Sequence, residues 1–183
     1  MTTRDTRSAA RIARTCACLL AALAWATATV ADEAVDRAAQ MKAAYVFNFL
    51  KFVEWETDGS PGALEVCFGG AAEVRQAFAT ATADKTIGGR RILVRAIESQ
   101  ESPEHCEAVF LDRASAKGPD LPLLTLTIGE SPEFTRTGGI IGLYTESNRL
   151  RFTINIGNAK RANVQISSNL LKLASSVEQE AMP

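Results

Sequence analysis

The chain has 183 residues, 46% of them hydrophobic, with 20 Lys+Arg against 21 Asp+Glu and a single histidine. That balance lacks the basic footprint of a nucleic-acid binder, and one histidine removes most His-dependent catalytic and metal constellations. The length suits one domain with a substantial core.

Arg4, Arg7, Arg11 and Arg14 open the sequence, weakly offset by Asp5. Cys16 through Val30 is nearly free of charge, with Leu19, Leu20, Leu23 and Trp25 as its apolar centre, and small residues end at Ala31 before Asp32-Glu33. This is the pattern of a secretory leader with a small-residue cleavage site. The apolar run is shorter than the ~20 residues that span a bilayer, and Cys16 and Cys18 lie on the wrong side of it for lipidation. Residues 1–31 are therefore expected to be a cleaved signal peptide, cut near Ala31 or Ala28, and residues 32–183 a single exported domain. Four arginines and one aspartate leave with the leader, so the remainder carries a net charge of about −4.

From Met41 to Trp55 the apolar positions follow a helical period. Tyr45, Val46, Phe49, Leu50, Phe52 and Val53 share a face wide enough to lie on a sheet, while Asn48, Lys51 and Glu54 point away. Phe47 and Trp55 also fall on the outer side, four residues either side of Lys51. They either tuck under loops or form an aromatic contact surface for a partner.

Asp58 to Gly62 is a turn signal. Leu64–Phe68 reads as a short strand ending at Gly69-Gly70, and Ala71 to Thr82 has helical composition. A strand entering a helix through glycines offers N–H groups to an anion, but GxGxxG and Walker patterns are absent. A plain strand–helix connection is the simpler account. Ile87-Gly88-Gly89 turns the chain into a second strand, Arg91–Ile97, and a polar loop comes next with Glu98, Glu101, Glu104 and Glu107 around His105 and Cys106. Ala108–Leu111 and Leu123–Ile128 read as buried-type strands, with Asp112 at the end of the first. A helical turn over Arg113 to Lys117 and a stop at Gly118-Pro119 lie between them. Strands alternating with short helices specify α/β: a sandwich of a mostly parallel sheet flanked by helices.

A short turn of helix is expected around Pro132–Phe134. The segment from Ile140 to Tyr144, the turn Glu146-Ser147-Asn148 and Arg149–Ile156 form the clearest hairpin, with Leu150, Phe152, Ile154 and Ile156 alternating against polar residues. This gives a C-terminal antiparallel hairpin, placed at the sheet edge by its late position. Short helices are expected at Asn158–Asn163 and Asn169–Ser175, the latter capped by Ser167 or Ser168, and the tail after Ser176 is expected to fray.

After cleavage two cysteines remain, Cys67 and Cys106, and an oxidising compartment favours joining them. The alternatives are free thiols or a metal site using His105, for which no ligand spacing exists. No nucleophile–base pair assembles around His105, and Asp112 has no second carboxylate positioned beside it, so no catalytic residue, metal or cofactor is assigned. The closing hairpin, together with the segment after it, is the expected partner surface. Leu150, Phe152, Ile154 and Ile166 are its apolar contacts, Arg149 and Arg151 its steering charges, and the Phe47–Lys51–Trp55 stripe a second candidate.

Four segments resemble the YfiR-like family of periplasmic proteins. They are the opening Lys42–Trp55 motif, the Cys67 strand, the His105-Cys106 to Leu111 segment, and Gly138 to Leu173 with its Gly139-Ile140-Ile141-Gly142, Arg151–Asn155 and Ile166–Leu171 runs. The resemblance implies a non-enzymatic periplasmic regulator that represses a membrane-bound diguanylate cyclase through its periplasmic domain, tuning cyclic-di-GMP and biofilm behaviour without binding that nucleotide. It further implies an outer-membrane lipoprotein as a second partner, and a homodimer. Some relatives have a second cysteine pair near the closing hairpin; this chain has none there. The alternative is a periplasmic small-molecule sensor, or an accessory protein for a sensor kinase or uptake receptor.

Overall fold

The computed structural model describes residues 35–54, 62–97, 103, 105–117 and 124–180. The expected leader, Trp55, the turn at Asp58–Pro61, Glu98, Glu101, Glu104 and the Gly118-Pro119 stop lie outside the described residues. A compact unit runs Ala39–Pro183, and the residues before it form a separate unit.

Helix α1 spans 35–51. Within the compact unit it buries Ala39, Ala43, Val46, Phe49 and Leu50, a spacing that keeps one stripe against the sheet. The helix stops before the expected Phe52 and Val53. Val53–Glu54 instead forms strand β1, pairing antiparallel with β9 (Gln165–Ile166). Branched Val53 fits the pleated surface as well as a helix face, and its cross-strand partner Ile166 is invisible to a local period.

The main sheet takes the order β10-β8-β7-β6-β5-β2-β4-β3. Its strands are β2 (Leu64–Gly69), β3 (Thr86–Ile87), β4 (Arg90–Ile97), β5 (Ala108–Leu111), β6 (Leu126–Gly129), β7 (Ile141–Glu146), β8 (Arg149–Asn155) and β10 (Ser176–Glu178). Pairing is parallel from β4 through β2, β5 and β6 to β7, and antiparallel for β7–β8 and β3–β4. The mixed α/β class with a mostly parallel sheet and a closing hairpin is the architecture observed.

Register places Phe68, Phe110, Ile128, Ile141 and Ile154 in one row across five strands. That face carries the core. Helix α2 (Ala72–Thr82) sets Phe78 against Phe68 at 5.3 Å between ring centroids, and Phe49 of α1 meets Phe152 at 4.9 Å. The opposite face holds a smaller cluster of Cys67, Cys106 and Val109, with Ile97 and Leu111 packed on it. Cys67 and Cys106 are joined as a disulfide with Cα atoms 5.9 Å apart. Over β6 and β7 this face is covered by a 3₁₀ turn, Pro132–Thr137, whose Phe134 ring lies where any side chain at Gly129 or Gly139 would sit.

Several boundaries differ from the sequence reading. The strand expected from Leu123 begins at Leu126, because Leu124 is exposed and has φ 62°, which breaks extended pairing. Helix α3 is Ile156–Arg161, set early by Asn155, whose side chain accepts the Asn158 N–H. The last helix, α4, is only Ser168–Leu171, capped by Ser167, and leaves Leu173 exposed. The tail is not frayed at Ser176: β10 pairs in parallel with β8. The hairpin is therefore one strand inside the sheet rather than at its edge. Three residues reading Ser-Val-Glu carry no period, so only backbone pairing reveals them.

Candidate functional site

The strand order reverses between β2 and β5, and in open α/β sheets that switch point is the usual ligand crevice. Here the loops concerned are Gly69-Gly70-Ala71 and Leu111-Asp112. Asp112 occupies the crevice itself. Its carboxylate accepts the Ser115 N–H at 2.7 Å and hydrogen-bonds the backbone N–H groups of Ala71 and Ala114. Burial alone would raise its pKa, but these donors and the Ser115 hydroxyl together hold it below the usual carboxylate value. Gly70 has φ 69°, and a Cβ there would collide with the Asp112 carboxylate, so the glycine is required by that approach. One N–H that a phosphate would seek there, that of Ala71 just before α2, is thus engaged by the protein's own anion.

Three further carboxylates, Glu65, Glu107 and Glu130, are in structural pairs. Arg90 ties the start of β4 to the carbonyls of Gly62 and Ala63 and to the Glu107 carboxylate, which also accepts the Glu65 N–H at 2.7 Å. Glu65 pairs with Arg95 at 2.8 Å, and Lys42 of α1 with Glu130 at 2.8 Å. Glu65, Cys67 and Cys106 lie within metal-ligand distance of one another. The two sulfurs are bonded together and Glu65 already holds Arg95, so this trio does not suit an ion. His105 is exposed.

The expected partner residues separate into three groups. Phe152 is 5% and Ile154 0% exposed, both beneath α1, so they are core and not contact residues. Tyr45 and Phe49 stack edgewise on Phe152, a pairing that the hairpin alternation alone does not reveal. Arg149 and Arg151 are exposed on the other face of the hairpin, Arg151 pairing with Glu146 at 2.8 Å. Leu150 is half-buried, and its carbonyl accepts the Tyr45 hydroxyl at 3.2 Å. Phe47 is half-buried, with the ammonium groups of Lys85 and Lys51 over its ring at 4.7 and 5.7 Å. This cation–π cover means that its face is shared with lysines rather than bare.

Ile166 belongs to a third place. It is half-buried and lines a cavity of ≈ 310 Å³ with Ile156, Val164 and Leu171 as apolar walls and Lys160 on the rim. No periodicity announces this concavity, because α3, β9 and α4 are each six residues or fewer and meet only through turns. Ile166 is reachable from sequence; Lys160 and Val164 are not.

No helix among the described residues is long and apolar enough to cross a membrane. Residues 39–175 match the family described as YfiR/HmsC-like. No curated protein matches the sequence. Among solved structures, a conserved domain protein from Vibrio cholerae O1 biovar El Tor strain N16961 is similar, with a TM-score of 0.53 at 10% identity. The likeness covers 74% of this chain and 60% of that one, and at such identity it speaks for the fold alone.

Proposed function

The chain belongs to the YfiR/HmsC-like family, regulators of the periplasm that act on signalling proteins, and from that premise we propose that it represses an inner-membrane diguanylate cyclase by binding the cyclase's periplasmic domain. Residues 1–31 serve as its cleaved export signal, and an outer-membrane lipoprotein relieves the repression by competing for it. The observation that carries this reading is the family match across 39–175, which takes in nearly the whole compact unit. The Asp112 carboxylate set at the switch point, with the Ala71 N–H engaged by it, supports a protein that works by contact rather than by turning over a phosphorylated substrate.

The partner contacts the concave surface of α3, β9 and α4, where Ile166 and Leu171 offer an apolar floor and Lys160 a rim charge. The exposed Leu173 extends that apolar surface in sequence. Exposed Arg149 and Arg151, on the hairpin, steer the approach of an acidic partner. In-cell cross-linking from this surface should trap a membrane protein with a diguanylate cyclase domain, and Ile166→Asp should lower the yield. Trapping that is unchanged by Ile166→Asp in folded protein would move the contact elsewhere.

A second reading, a small-molecule sensor, is favoured by the same cavity. Its ≈ 310 Å³ sits at the small end of ligand-sized pockets. Apolar walls beside one ammonium suit a small apolar anion. Calorimetry with aromatic and aliphatic carboxylates separates the readings, since a contact surface alone binds none of them.

A further inference from the structure

The last strand of the main sheet is loosely held. The family match ends at residue 175, and β10 starts at Ser176, just beyond it. Ser176 and Val177 are exposed and Glu178 is half-buried, so β10 buries no side chain of its own. What it lies against is core, since Thr153, Ile154 and Asn155 of β8 are all buried. An element with so little burial belongs to the low end of local stability, where segments open without the domain unfolding.

Beneath the tail, β8 offers a ready template. Glu146 and Arg149 close a two-residue turn and the Asn155 N–H donates to the Ile140 carbonyl, so alternate residues bond to β7 while Phe152 and Ile154 direct their backbone groups outward. The Phe152 carbonyl accepts the Ser175 N–H at 2.8 Å, and Val177 and Glu178 lie opposite Ile154 and Asn155. Asn155 also reads a side chain. Its amide donates to the Thr135 carbonyl at 3.1 Å and to the Glu178 carboxylate at 3.4 Å, while its oxygen accepts the Asn158 N–H at the start of α3. β10 touches α3 as well, and α3 is one wall of the concavity around Ile166.

We propose that the β8 edge is a strand-addition site, held in the free protein by the chain's own tail and taken over by an extended acidic segment of the partner. In this mode backbone bonds give affinity and side-chain pockets give selection. The tail defines the class of segment: a β-branched residue opposite Ile154, then an acid opposite Asn155, running parallel to β8. An acidic segment suits the surroundings, since Arg149 and Arg151 are exposed earlier on β8 and Lys160 and Arg161 end α3. The edge is also continuous with the concave contact surface, because α4 leads into β10 through residues 172–175. While docked, the tail keeps β8 from pairing with unrelated strands. Being tethered, it competes at high effective concentration, so only a segment that also engages the concavity displaces it.

The proposal rests on the contact reading for the partner's identity, but the site is tested with no signalling protein present. The probe is a fluorescent synthetic peptide of the tail, Ala174 to Glu180, titrated onto the purified protein. Combining Val177→Pro with Glu178→Pro removes two consecutive N–H groups, one of which must face β8, and so frees the tail without altering residues 39–175. This variant should bind the peptide about tenfold or more tightly than wild type, whose own tail competes. The same peptide carrying Glu178→Lys should bind the variant about tenfold more weakly, because an ammonium cannot accept from the Asn155 amide. In the wild type, amide exchange should show β10 opening faster than β8. A folded double-proline variant that binds the peptide no better than wild type overturns the proposal. So does binding indifferent to Glu178→Lys, or β10 amides protected as long as those of β8. Peptide capture that meets all three expectations, in a protein whose loss leaves cyclic-di-GMP unchanged, would strike the regulatory reading and leave the site standing.

Discussion

At the scale of residues, Asp112 shows how one side chain settles what a crevice does. It ends β5, caps the turn at Ser115–Lys117 and reaches the Ala71 N–H before α2. Asp112→Ala should cost about 1–2 kcal/mol, the usual effect of losing a carboxylate cap with several N–H partners. The pH dependence has a definite sign. A carboxyl whose folded pKa lies below its unfolded value stabilises the fold above the unfolded value, 3.8 here, and loses that contribution as pH falls through the lower folded value. Thermal unfolding of wild type and Asp112→Ala should therefore differ at neutral pH and converge in acid. A gap that persists at the lowest pH would assign the effect to packing instead. The sequence marks Asp112 as a carboxylate at a strand end with no second carboxylate beside it. Its partners at Ala71 and Ala114 are backbone groups, which no side-chain pattern announces.

At the scale of elements, legibility follows periodicity, and it fails where an element exists only through pairing. The α1 stripe, β2, β5 and the β7–β8 hairpin each carry a local period, and the hairpin turn has the residues its backbone needs. Ser147 and Asn148 both have positive φ, as a two-residue hairpin turn requires. β1, β3, β9 and β10 have two or three residues each and exist through their partners. The alternation of Phe152 and Ile154 marks one apolar side, but only the sheet order decides that this side faces α1 rather than a partner. The charged side remains available for test. Arg149→Glu with Arg151→Glu should leave unfolding nearly unchanged, since both side chains are exposed. The double variant should slow capture by an acidic partner most at low salt, where rim charges govern association. Equal rates at low salt would remove the hairpin from the docking route. The disulfide belongs to this scale too, tying β2 to the loop before β5 across a separation of 39 residues. Replacing both Cys67 and Cys106 with Ala should lower stability by about 4 kcal/mol in the chain-entropy account. Coincident denaturation curves for the two proteins would show that the bond contributes nothing.

At the scale of the whole molecule, a mostly parallel sheet carries both described long helices on the face of Phe68, Phe110, Ile128 and Ile154, and compact 3₁₀ and loop cover on the other. Such a body presents little besides surfaces: a hairpin with arginines and a concavity around Ile166. The fold class is readable from alternating strands and helices, whereas the concavity arises only when short elements meet, which is why the sequence locates Ile166 without its surroundings. The regulatory account predicts that these surfaces hold a diguanylate cyclase in check from the periplasm. Cyclic-di-GMP content, measured in cells lacking the protein and in the same cells complemented with it, tests this most directly. The account predicts a rise on loss and a return to the wild-type level on complementation, abolished when the complementing copy carries Ile166→Asp. An unchanged nucleotide level in cells lacking the protein would contradict it.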